Sequence, residues 1–90
     1  MRLEWSAEAL VDLGEQVRFV QARNPAAARK IAQAVYTAAE RLAVFPRIGR
    51  PGQRDGTREW SVTRLPYIIV YAVDDDLETI LHVYHVRQRR

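Results

Sequence analysis

The sequence predicts an α+β domain of order β-α-α-β-β-β, a helical hairpin packed on one face of a small antiparallel sheet. Three observations lead to this. Apolar residues recur at helical spacing in two successive stretches of the first half. Asn24-Pro25 separates those stretches so tightly that the helices must run antiparallel. The second half holds three short alternating or wholly apolar runs with brief turns between them, as in a meander. Ninety residues fit one core, so residues 1–90 are expected to form a single domain.

Arg2 to Trp5 alternates weakly and suits a short edge strand. Ser6 can cap the first helix, and Glu8 places a negative charge in its first turn. Leu10, Leu13, Val17 and Val20 then mark one helical face. Asn24 can cap the second helix with Pro25 at its first position, where a missing N–H is harmless. Ile31, Val35, Ala38, Leu42 and Phe45 form that helix's stripe, and Pro46 ends it. Residues 46–57, with two prolines, three glycines and three arginines, read as a loop.

A strand is expected over Arg58–Leu65, with Trp60 and Val62 on one side and Glu59, Ser61 and Thr63 on the other. Tyr67–Val73 is apolar throughout, as in a strand covered on both faces. After the turn at Asp74-Asp75-Asp76, a last strand spans Leu77–Arg87. Strict alternation there places Ile80, His82, Tyr84 and Val86 on one face and Leu81, Val83, His85 and Arg87 on the other.

Composition narrows the function. Hydrophobic residues make up 48% of the chain, enough for a packed core and against disorder. With no cysteine, disulfides, thiol catalysis and the commoner structural zinc sites are excluded. The N-terminus lacks a signal-peptide layout and the longest apolar run is too short to cross a membrane, so a cytoplasmic location is expected. The net charge of +3 is uneven: residues 1–40 are neutral, 41–73 are arginine-rich, and 74–84 are acidic. Arginine favours bidentate contact with carboxylate or phosphate.

The glycines of the loop lack the spacing of a nucleotide-binding turn, so no cofactor is expected. His82 and His85 are an odd number apart on one strand and face opposite ways, so no metal site is expected either. If the end of the last strand lies near the start of the first meander strand, Arg58, Arg64, His85 and Arg87 share a surface. Such a surface could hold phosphates, with His85 as acid or base and arginine stabilising charge. The alternative is that His85 is a half-buried strand residue among solvated arginines. Tyr67, Tyr71 and Tyr84 could stack on bases, but their spacing matches strand faces, and core packing is expected.

Several motifs, in order, resemble those of the RelE/ParE toxin superfamily. They are Trp5-Ser6 with Ala9 and Asp12-Leu13, Asn24-Pro25 with Ala27-Ala28, Leu42 with Phe45-Pro46, and Ile48-Gly49-Arg50. Gly56-Thr57-Arg58-Glu59, Tyr67-Ile68-Ile69-Val70-Tyr71 and Val83-Tyr84-His85-Val86-Arg87 complete a resemblance that covers nearly the whole chain.

The resemblance implies the toxin of a type II toxin–antitoxin system, serving plasmid or chromosome stabilisation through growth inhibition. RelE-like members cut messenger RNA on the ribosome with basic strand residues, an arginine after the third-strand tyrosine and a C-terminal tyrosine. Here Glu59 and Ser61 replace the strand lysines, Ile68 follows Tyr67, and no tyrosine follows Arg87. Those departures point to the ParE-like branch, whose members bind DNA gyrase and trap it on cleaved DNA without an active site of their own. Arg58, His85, Arg87, Arg89 and Arg90 are then the expected target contacts. The implied partner is a cognate ParD-like antitoxin, often a ribbon-helix-helix protein, in a hetero-oligomer. Leu10, Leu13, Val17, Val20 and Val35 are its expected contacts. The alternatives are a RelE-like endoribonuclease using His85, Arg58 and Arg87, and a non-toxic member that only binds an antitoxin.

Overall fold

The computed structural model describes residues 1–88. The elements are β1 (Arg2–Trp5), α1 (Ala7–Gln21), α2 (Pro25–Val44), β2 (Arg50–Pro51), β3 (Thr57–Ser61), β4 (Tyr67–Asp74) and β5 (Leu77–His85), then a 3₁₀ turn at Val86–Gln88. The predicted order holds, with one addition: the loop after α2 contains the two-residue strand β2, paired with Glu59 and Arg58. The sheet is mixed and runs β1-β5-β4-β3-β2. β1 lies parallel to β5, and the rest is antiparallel.

The helix boundaries follow from capping. Ser6 Oγ accepts the Ala9 N–H at 3.0 Å, satisfying one of the donors that a helix start leaves free. Asn24 Oδ1 does the same for Ala27 at 3.1 Å, with Pro25 opening α2. α2 stops at Val44, where Phe45 leaves helical geometry ahead of Pro46.

The core lies between the hairpin and one sheet face. Ala9 and Leu13 of α1 and Ile31, Val35, Ala39 and Leu42 of α2 meet Ile69, Tyr71, Ile80 and Val83. Two residues of the expected stripes are instead exposed. Leu10 is about half exposed, since α1 turns Ala9 to the core, and Phe45 follows the helix end, where the 3.6-residue phase no longer applies.

The strict alternation expected of the last strand also fails. The partner of Val70 is His82, but the partner of Tyr71 is Ile80, so Leu81 is an extra residue on β5. This bulge puts Ile80 on the same face as Val83, in the core, and leaves His82 and Tyr84 on the other face. The turn into β5 uses Asp75 at φ 52°, a left-handed conformation that aspartate tolerates better than most residues.

Candidate functional site

Three regions of the fold carry polar chemistry or uncovered apolar surface. The sheet face away from the helices presents Thr57, Glu59, Ser61, Ile68, Val70, His82 and Tyr84. Glu59 is buried there, and its Oε1 accepts from Arg50 Nη2 at 3.2 Å. His82 stacks on Tyr84 with ring centroids 5.1 Å apart. Its Nδ1 lies 3.2 Å from Asp12 Oδ2, which also accepts the Val83 N–H at 3.0 Å. An ionised Asp12 makes Nδ1 the protonated nitrogen and leaves Nε2 as the free acceptor. His82 and Tyr84 border a cleft of about 400 Å³ that also takes in Ser6, Arg54 and Thr57.

The second region is the far end of β5. His85 sits opposite Tyr67, ring edge to ring face at 5.5 Å. Its Nδ1 accepts the Arg87 N–H at 3.1 Å. Gln88 Oε1 accepts from His85 N and from Gln16 Nε2, and Val86 N donates to Pro66 O, which ties the end of β5 to α1 and to the β3–β4 turn. His85 and Arg87 therefore share an end of the sheet with the turn holding Arg64, a residue at φ 64°.

Arg58 does not join them. In an antiparallel meander the first and third strands run the same way, so the end of β5 lies beside the end of β3. Arg58 opens β3, opposite Tyr71, at the other end. Its Nη1 donates to Gly49 O at 2.8 Å and to Arg47 O at 3.3 Å. The expected Arg58–His85–Arg87 grouping is therefore split, and Arg58 holds a loop. Arg89 and Arg90 lie outside the described residues.

The third region is the surface of the hairpin. Leu13 and Val35 belong to the core and offer a partner no surface, contrary to expectation: the periodicity that singled them out marks the inward face. Val17 and Val20 are partly covered against the same core, and Leu10 is accessible. Among the other exposed apolar residues, Val11, Phe19, Tyr36 and Val44 stand off the helical stripes, and that dephasing is the signal by which sequence could have found them. Between α2 and β3 runs a cleft of about 530 Å³, floored by Ala34, Ala38, Trp60 and Val62 and rimmed by Lys30 and Arg41.

Among the described residues no cluster of histidine and carboxylate side chains is arranged to hold a metal ion. None of the described helices is long and apolar enough to cross a membrane.

A helical hairpin packed on one face of a five-stranded mixed sheet defines a small two-layer α+β domain. Residues 3–90 match the family described as ParE toxin of type II toxin-antitoxin system, parDE, and the chain belongs to that family. It is 38% identical over 88 residues to the Y4kP protein of Sinorhizobium fredii, covering 98% of this chain and 91% of that one. It is 35% identical over 81 residues to Toxin RelE2 of Caulobacter vibrioides, covering 90% of each. In structure it resembles a chain of the chromosomal ParDE system from P. aeruginosa, with TM-score 0.84, 24% identity and coverage of 94% and 95%. It also resembles a chain of the RelBE2 toxin-antitoxin complex from Mycobacterium tuberculosis, with TM-score 0.63, 27% identity and coverage of 93% and 88%.

Proposed function

We propose that this chain is a growth-arresting toxin that acts in the cytoplasm by binding DNA gyrase and stabilising its cleaved-DNA state, and that a cognate antitoxin neutralises it. The observation that carries the reading is the outer sheet face. Cleavage of RNA needs groups that stabilise phosphate charge and move protons, brought together. Here Glu59 occupies the centre of that face with Arg50 bound to it, Ser61 and Ile68 flank it, and Arg58 faces the other way. Growth arrest by binding needs no such set, and the arginines of the 47–58 loop and of the sheet end by His85 and Arg87 suit an anionic target.

The antitoxin, on this reading a ParD-like ribbon-helix-helix protein, lays an apolar segment with carboxylates along the α2–β3 cleft. The test is supercoiling of relaxed plasmid by purified gyrase with rising amounts of this protein. Inhibition with accumulating linear DNA is expected, and full supercoiling at large excess of folded protein would refute the reading.

The similarity to Toxin RelE2 and to a RelBE2 chain favours one second reading, a ribosome-dependent endoribonuclease. Within its expected trio, Arg58 lies apart from His85 and Arg87, so those two would have to work without it. Cleaved transcripts in expressing cells would distinguish it.

A further inference from the structure

Between α2 and β2 the chain displays a short apolar knuckle. Val44 is 68% exposed, Phe45 53% and Ile48 42%, within five residues. The backbone that carries them is held by hydrogen bonds. Phe45 N donates to Arg41 O, and Ile48 N donates to Phe45 O. The Tyr71 hydroxyl donates to Pro46 O at 2.8 Å and accepts from Gly49 N at 3.0 Å. Arg58 takes the carbonyls of Arg47 and Gly49. Burial pushes the Tyr71 hydroxyl above its ordinary range, so it stays protonated and keeps donating. Gly49 is required by this packing, since a Cβ there would fall on the Tyr71 hydroxyl and 2.9 Å from Glu59 O.

The surroundings are basic. Arg41 and Arg47 are exposed within the same stretch of chain, and Arg50, two residues after Ile48, keeps 67% of its side chain in solvent while pairing with Glu59. Beside the knuckle lies a cleft of about 430 Å³ bordered by Met1, Pro46, Arg47 and Val73, with Asp75 as an acidic group on its wall.

We infer that this knuckle is the anchor by which the toxin seats on its cellular target. The occupant is a protein presenting an apolar recess edged with carboxylates. Rigid display removes the ordering cost that a mobile loop would incur on binding. Val44, Phe45 and Ile48 fit the recess as a buried centre, and the arginines meet the carboxylates at the rim. A nucleic acid is the poorer match, because base stacking calls for flat side chains and two of these three are aliphatic. The inference rests on the toxin reading above, though not on gyrase as the target.

The test compares the full chain with the Phe45→Asp/Ile48→Ser double variant and with Arg47→Glu, a charge reversal at an exposed site. Each is induced in cells lacking any antitoxin, and each purified protein is melted and titrated with a 30-base-pair DNA duplex. The expected result is that both variants melt near the parent. The double variant should lose about tenfold or more of the parent's killing, and Arg47→Glu should lose less. Killing equal to the parent by folded double variant overturns the inference. So does a loss of killing matched by a loss of duplex binding, which would make nucleic acid the occupant. If the double variant fails to fold, undiminished killing by Arg47→Glu is the overturning result. A parent that does not arrest growth refutes the toxin reading itself and this anchor with it.

Discussion

Replacing Glu78 with glutamine should flatten the dependence of stability on pH. Glu78 sits on β5, between Leu3 of β1 and Val73 of β4, on the core side of the sheet. It is 0% exposed, and neither carboxyl oxygen has a hydrogen-bond partner. Burial raises its pKa from 4.5 to about 7, against a small opposing pull from the N-terminal ammonium of Met1. The folded protein therefore holds this proton in a range where the unfolded chain has released it. The resulting stabilisation is complete below the unfolded value of 4.5 and is lost as pH rises through about 7. At about 1.36 kcal/mol per pH unit, that window amounts to roughly 3 kcal/mol. For a domain of this size the shift in Tm is on the order of 10–20 °C.

The assay is denaturant unfolding of the parent and Glu78→Gln at pH 5 and pH 8, followed by circular dichroism. All other contributions to the pH dependence are common to both proteins and cancel in the difference. Any penalty for burying an amide N–H is independent of pH and cancels between the two pH values. The variant should gain about 2.5 kcal/mol on the parent between pH 5 and pH 8, since pH 5 already lies inside the window. Identical pH slopes would refute the reasoning, because an ionised Glu78 would then have found solvation that the structure does not provide.

Three further outcomes are expected. Tyr71→Phe removes both hydrogen bonds of the hydroxyl and should lower stability by about 1–3 kcal/mol, read as a fall in Tm. Lys30→Glu/Arg41→Glu reverses the rim of the α2–β3 cleft and should weaken antitoxin binding by about tenfold, roughly 1.4 kcal/mol, by titration calorimetry, while leaving Tm within a few degrees. Arg87→Ala should reduce gyrase inhibition by a few-fold, with Arg58→Ala instead lowering Tm, because Arg58 serves the loop; a strong loss of Tm in Arg87→Ala alone would reverse that assignment.

The sequence by itself determined the element order, both helix starts, the meander and the family resemblance. These are local matters: Ser6 and Asn24-Pro25 cap helices with their own side chains, and a 3.6-residue or two-residue period is written along the chain. His82 and His85 were legible as facing opposite ways for the same reason. Tertiary structure decided what depends on distant partners. The bulge at Leu81 arises where β5 is paired with β4 on one side while β1 ends on the other, and it moves Ile80 into the core. Arg58 and His85 lie at opposite ends because strand direction, which no single strand encodes, sets which ends meet. Leu13 and Val35 could be recognised as a stripe, but only the fold shows that the sheet covers that stripe and leaves Val44, Phe45 and Ile48 exposed. Glu78 reads as an ordinary charge at the start of the last strand until β1 pairs beside it and its carboxylate is buried.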